Sequence, residues 1–320
     1  MRRDTFLKSL AALAAAGTLP LAARAAAANI KMMIPANPGG GWDTTGRALG
    51  KALQDGQLAS AVTFENKGGA AGAIGLAQFV NASKGDPNAL MVMGAVMLGG
   101  IITGKPPVSV TAATPIARLT SEYNVFVLPE NSPFKTMKDV IEAMKKDPAS
   151  VKFGGGSRGS TEHIAAAMMA RESGIDPSKI NYVPFRGGGE AIAAILGGNV
   201  TVGGSGYSEF QQYIEAGKMR PIGVTSEQRL KGINIPTLKE QGINVVIGNW
   251  RGVYAAPGIN ADQRKALTDL VVAATKTKAW AEALDKNNWT SALMTGKPFE
   301  DFVDSEFASL RATMVKAGMI

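Results

Sequence analysis

PANPGGGWDTTGR, residues 35–47, follows the apolar run Ile30–Ile34 and leads into the amphipathic stretch Thr44–Gln54. Read as strand, glycine turn and helix, it is one unit of an alternating β/α chain. The layout recurs at FENKGGAAGAIG (64–75), VKFGGGSRGSTEH (151–163) and YVPFRGGGEAIAAI (182–195). In open α/β sheets, ligands bind beyond the carboxyl ends of the strands, where such turns lie. A helix N-terminus presents unpaired N–H groups and the positive end of its dipole, which suits a carboxylate or a phosphate. Two of the four turns precede residue 80 and two follow residue 150, an arrangement suited to two lobes facing one anionic ligand.

Working outward, strands are expected at Ile30–Ile34, Ala61–Glu65, Ala89–Val96, Pro115–Leu119, Val125–Pro129, Val151–Gly154, Ile180–Phe185, Val200–Gly203, Ile222–Thr225 and Val245–Ile247. Helical patterns fall at Thr44–Gln54, Ala70–Asn81, Met137–Lys146, Ser160–Glu172, Glu190–Leu196 and Tyr207–Ala216. The alternation implies an α/β fold with parallel strands and helices on both faces. The last seventy residues turn helical: Leu267, Leu270, Val271 and Ala274 share one face, and Phe299, Val303, Leu310 and Met314 another, with Pro298 placed to open the final helix.

Composition removes much chemistry. Glycine makes up 38 of 320 residues, about 12% against a usual ~7%. There is no cysteine, which excludes thiolate catalysis, Fe–S clusters and cysteine-ligated zinc, and the single histidine, His163, argues against a Ser-His-Asp triad or a multi-histidine metal site. Arg2, Arg3 and Lys8 precede the apolar run Leu10–Ala23, and Ala23-Arg24-Ala25 or Ala26-Ala27-Ala28 offers a cleavage site, so residues 1–25 read as a signal peptide for the Sec or the twin-Arg route. Without Arg2, Arg3, Lys8, Arg24 and Asp4, 30 basic and 25 acidic side chains remain, and the bases are scattered. No nucleic-acid partner is expected from that pattern.

Phosphate cradling by a P-loop fails for want of G-x-x-x-x-G-K-[ST]. Gly154, Gly156 and Gly159 do satisfy G-x-G-x-x-G, but the next strand, Ile180–Phe185, ends without the acidic residue that would hold an adenine ribose. An exported α/β hydrolase stays open as an alternative, although no G-x-S-x-G elbow is present.

Taken in order, PANPGGGWDTTGR, FENKGGAAGAIG, FGGGSRGSTEH and VPFRGGGEAIAAILGGNV resemble the extracytoplasmic solute receptors of tripartite tricarboxylate transporters, the Bug-type binding proteins. GNWRGVYAAPG (248–258) resembles the segment by which that family's chain returns to its first lobe, and SGYSEF (205–210) is similar to its tricarboxylate-binding branch. Thr201 departs from the aspartate that many members carry there. The resemblance implies a two-lobed, type II periplasmic-binding-protein fold with a ligand cleft between the lobes. It implies no catalysis, cofactor or metal, and a periplasmic monomer that hands a citrate-like acid to membrane permease subunits. Lobe one is expected over residues 29–123 and 250–320 and lobe two over 124–249. A receptor reporting to a periplasmic sensor is the other role compatible with closure around a ligand.

Loop by loop, the resemblance and elementary physics nominate contacts. The amides of Gly39, Gly40 and Gly41 with the hydroxyl of Thr44 suit one carboxylate, with Asn37 and Asn66 as neutral donors. Asp43 would repel an anion and is read as a cap that fixes its loop. Ser157, Ser160 and Thr161 open a helix, one as N-cap and the others toward the cleft. Arg186 is the nominated charge partner, Arg158 its rival, and Ser205 and Tyr207 add hydroxyls. His163 is read as a packing or capping residue, and Trp42 and Trp250 either wall the cleft or pack.

Overall fold

The computed structural model describes residues 28–320; the expected signal peptide lies outside the described residues. The chain opens with β1 (Ala28–Ile34), α1 (Gly41–Asp55), β2 (Ala59–Asn66), α2 (Ala73–Ala82), β3 (Ala89–Gly94) and α3 (Ala95–Gly104). A long strand, β4 (Thr114–Pro129), leads to α4 (Met137–Lys146), β5 (Lys152–Gly155), α5 (Thr161–Glu172), β6 (Asn181–Pro184), α6 (Gly188–Leu196), β7 (Val202–Gly206), α7 (Tyr207–Glu215) and β8 (Met219–Val224). The chain ends with β9 (Gly248–Ala255), α8 (Ala261–Ala274), α9 (Lys278–Asn287), β10 (Thr290–Thr295) and α10 (Gly296–Lys316).

Two strand sets meet along β4. In the first, β2 and β3 flank β1 in parallel, and β9 joins β3 to β4 by antiparallel pairing. In the second, β6 and β7 flank β5 in parallel, and β7 and β8 pair antiparallel with β4. Thr114–Tyr123 of β4 faces β9, whereas Asn124–Val127 faces β7. The sequence suggests two strands here, Pro115–Leu119 and Val125–Pro129, because the polar run Thr120–Asn124 reads as a break. That run is instead extended and paired, with Thr120, Glu122 and Asn124 buried. The strand expected at Val245–Ile247 is displaced to Gly248–Ala255, where β3 and β4 offer partners on both sides.

Leu90, Met91, Val92 and Met93 of β3 are all buried, as a strand covered on both faces requires. The terminal helix α10 closes the first set: Phe299 meets Trp250 edge-on at 5.9 Å and Tyr254 at 5.8 Å. A smaller cluster under the second set includes Val125, Val127, Ile195, Tyr207 and Phe210.

Helix starts divide into two kinds. Thr136, Ser160, Asn260 and Thr277 cap α4, α5, α8 and α9 with side-chain oxygens. By contrast, α1, α6 and α7 begin at Gly40, Gly187 and Gly206 with no side-chain cap. Their first N–H groups are therefore left for another partner.

Candidate ligand-binding cleft

All four glycine turns open onto one cleft. Gly40, Gly41 and Trp42 come from the β1–α1 turn, and Gly69, Ala71 and Gly72 from the turn after β2. Across from them stand Gly156 and Ser157 after β5, and Phe185 to Gly188 after β6. Ser205 and Glu209 follow from β7 and α7, Glu162 from α5, and Asn249 and Arg251 from β9.

The two sides touch through glycine. A Cβ on Gly40 would lie 3.1 Å from the Gly188 nitrogen, tighter than most such contacts, so bare backbone favours this approach of the α1 and α6 starts. Asn37 Nδ2 donates to Glu190 Oε1 at 2.9 Å across the same seam, and Thr103 Oγ1 donates to the Arg158 carbonyl at 3.4 Å on the other flank.

Of the nominated residues, Gly40, Gly41, Ser157, Arg186 and Ser205 line the cleft. The Arg186 guanidinium makes no hydrogen bond among the described residues; only its backbone N–H is used, donating to Glu190 Oε2 at 3.2 Å. The other nominees serve the local backbone or the core. Gly39 takes φ +87° and donates its N–H to Asp43 Oδ2 at 3.0 Å. The Thr44 hydroxyl donates to the Gly40 carbonyl at 3.2 Å. Asn66 Nδ2 donates to Asp43 Oδ1 at 2.9 Å and to the Ala36 carbonyl at 3.1 Å. Asn37 bridges the seam. Ser160 caps α5 and bonds Tyr182 at 3.1 Å, and Thr161 donates to Asn124 Oδ1 at 3.4 Å. Tyr207 packs in the second core. Short polar side chains beside a turn find backbone partners more readily than a ligand.

Asp43 fixes its loop as read: burial would raise its pKa, but Arg47, Asn66 and the Gly39 N–H outweigh burial and hold it below the usual carboxylate value. His163 packs, stacked on Tyr182 at 4.1 Å between ring centroids, with Nδ1 accepting the Gly159 N–H at 3.0 Å. Burial, helped by Arg158, pulls it down to about 4, so the imidazole is neutral. Trp42 walls the cleft, whereas Trp250 packs against Phe299 and Phe302.

The charged floor of the cleft escaped the sequence reading. Arg251 is ion-paired with Glu122 through Nη2, lies 3.4 Å from Glu209 Oε1, and sits over the Trp289 ring at 5.6 Å. Glu122 also accepts from Ser208 Oγ at 3.0 Å and Trp289 Nε1 at 3.1 Å. Glu162 accepts the Gly156 N–H at 2.5 Å and Thr161 Oγ1 at 3.3 Å, and burial raises its pKa against those bonds. Burial also pushes Glu209 up to about 7; Arg251 opposes the shift, and Glu122 and Glu162 add to it. A signal was available, since Arg251 interrupts an apolar run (Trp250–Ala256) and an arginine buried there needs an acidic partner.

The model of the tripartite tricarboxylate transporter family receptor matches residues 47–319, and the chain belongs to that family of solute-binding receptors. A UPF0065 protein from the gbd 5' region of Cupriavidus necator is 26% identical over 100% of this chain and 99% of its own length. The periplasmic binding protein BugD superposes with a TM-score of 0.80 at 21% identity, covering 91% of this chain and 98% of BugD. MatC from Rhodopseudomonas palustris, solved with malate, gives 0.76 at 19% identity over 89% of this chain and 98% of MatC. A second R. palustris protein, solved with adipate, gives 0.80 at 20% identity over 91% and 97%. The fold is that of the two-lobed periplasmic binding proteins, and the family and its structural neighbours are binding proteins rather than enzymes.

Proposed function

We propose that this receptor captures a small organic polyacid in the periplasm and delivers it to the membrane subunits of a tripartite tricarboxylate transporter. One observation carries the reading: the uncapped starts of α1 and α6, with Arg186 and Arg251, converge on a single cleft. Unpaired N–H groups at two helix starts and two guanidinium groups are complementary to carboxylates separated by a short carbon chain. Malate and adipate, held by the structural neighbours, have that form. Citrate-like tricarboxylates come first for this chain because its SGYSEF segment resembles the tricarboxylate branch. In this reading residues 29–123 and 250–320 form one lobe and residues 124–249 the other, residues 1–25 direct export, and closure is a hinge motion at the β4 and β9 crossings.

The test is a thermal shift of purified, ligand-free protein against citrate, isocitrate, tricarballylate, succinate, malate, glutamate and an aromatic dicarboxylate. A ligand at ~1,000 times its dissociation constant adds about 4 kcal/mol and raises the midpoint by several degrees. Stabilisation by tricarboxylates supports the assignment; a response to dicarboxylates alone changes the substrate, and silence from every acid overturns the reading.

A further inference from the structure

The cleft suits an anion yet is lined with acids. Arg251 is shared by Glu122 and Glu209, and Glu162 lines the same space, so one floor guanidinium faces three carboxyl groups. Arg186 adds a second cation on the cleft wall, and Ser205 lies beside Glu209. A ligand carboxylate brings a fourth acid to this desolvated floor. Like charges at such range do not all stay ionised.

Glu209 is the group free to change. Glu122 is held by Arg251, Ser208 and Trp289, and Glu162 accepts the Gly156 N–H at 2.5 Å. The Glu209 carboxyl has the long Arg251 contact and the Ser205 hydroxyl as partners, and lies against backbone from both sides of the cleft. A Cβ on Gly188 would come within 2.5 Å of its Oε2, and one on Gly41 within 2.8 Å of its Oε1. A separate observation points to a ligand at this place. Arg251 lines the cleft with a side chain 3% exposed, and its Nη1 has no hydrogen-bond partner among the described residues. A buried guanidinium nitrogen left so is costly, and a ligand oxygen is the partner that fits.

We propose that Glu209 is the specificity group of the cleft: it takes one proton from solvent as an organic acid enters and donates it in a hydrogen bond to the ligand carboxylate, to which Arg251 Nη1 also donates. No bond of the ligand breaks, and the only species consumed is one proton from water or buffer. The inference rests on the acid-binding reading above and adds a chemical filter to it. An acid is taken in with one negative charge cancelled, so capture weakens as pH rises.

Calorimetric titration of citrate and malate into ligand-free protein, between pH 6 and 8.5 in Tris and in Hepes, counts the protons exchanged. Malate keeps both carboxylates ionised over this range, so its uptake reports on the protein. Close to one proton taken up per malate at pH 8, with affinity falling toward ten-fold per pH unit, is the expected result. Glu209→Gln, which keeps a hydrogen donor but cannot titrate, abolishes the uptake and flattens the profile. Binding without uptake, or uptake that survives Glu209→Gln, overturns the inference and leaves the acid receptor standing. Failure of both acids to bind at any pH removes the two together.

Discussion

Glu122 on β4 and Arg251 on β9 form an ion pair whose side chains are 4% and 3% exposed. They are diagonal neighbours on antiparallel strands, since Glu122 is in register with Asn249 and Arg251 with Thr120. The pair stands where β4 leaves one strand set for the other, so it braces the crossing and supplies the floor of the cleft.

Arg251→Ala is expected to cost about 3–5 kcal/mol of stability, because it leaves Glu122 buried without its counter-charge. Urea unfolding measures this directly. A loss below about 1 kcal/mol would mean that Glu122 finds adequate partners in Ser208 and Trp289 alone.

Gly188→Ala tests the seam. The added methyl would sit 3.1 Å from Gly40 Cα and 2.5 Å from Glu209 Oε2. An overpacking cost of about 1–3 kcal/mol where the two turns meet is expected to lower ligand affinity by roughly five-fold or more. Titration of malate or citrate into the variant reads the change; wild-type affinity would show that the two turns need not touch in the bound state.

Arg186→Ala removes a side chain that lines the cleft without a bonding partner among the described residues. Stability should shift by less than about 0.5 kcal/mol. Acid binding should weaken by about 1.5–3 kcal/mol, the usual worth of a hydrogen bond to a charged group. Ser157→Ala should lose about 0.5–1.5 kcal/mol of binding. If neither variant binds less tightly, that wall of the cleft does not contact the acid.

Stability carries two opposed pH dependences. His163 is pulled down to about 4 in the fold from 6.5, so the unfolded chain binds more protons between those values, and this contribution is lost as pH falls from 6.5 toward 4. Glu209 is pushed up to about 7 from 4.5, so the fold binds more protons between those values, and this contribution is lost as pH rises through 7. Each is worth about 3 kcal/mol and they largely cancel between pH 4.5 and 6.5. Unfolding at pH 5, 6, 7 and 8 should show His163→Gln losing stability as pH rises toward 7, and Glu209→Gln gaining it as pH rises toward 6.5, with both flat above. Parallel profiles in all three proteins would refute both burial arguments.

Much of the fold was legible because its signals are local. An apolar run, a glycine turn and an amphipathic helix lie within a dozen residues of each other, and all four such units open onto the cleft. The Arg186 turn and the Ser157 turn were found the same way. Where a strand boundary moved, the cause is pairing between distant segments. Thr120–Asn124 looks like a break because its residues are polar, and only the pairing of β9 and β7 on either half makes it continuous strand. Asn66, Thr44 and Ser160 have the right chemistry for an anion, and in the fold Asn66 donates to Asp43, Thr44 to the Gly40 carbonyl, and Ser160 accepts the His163 N–H.

By itself the sequence determined the α/β alternation, the positions of the four turns and the family, since each is written in spacing along the chain. Tertiary structure alone decided which charges share the cleft. Glu122, Glu162, Glu209 and Arg251 are separated by up to 129 residues, and they meet because β4 and β9 run side by side under the start of α7. Burial then alters their acidity, and no pattern of neighbours in the chain carries that information, because desolvation depends on what has folded over a group and not on what precedes it.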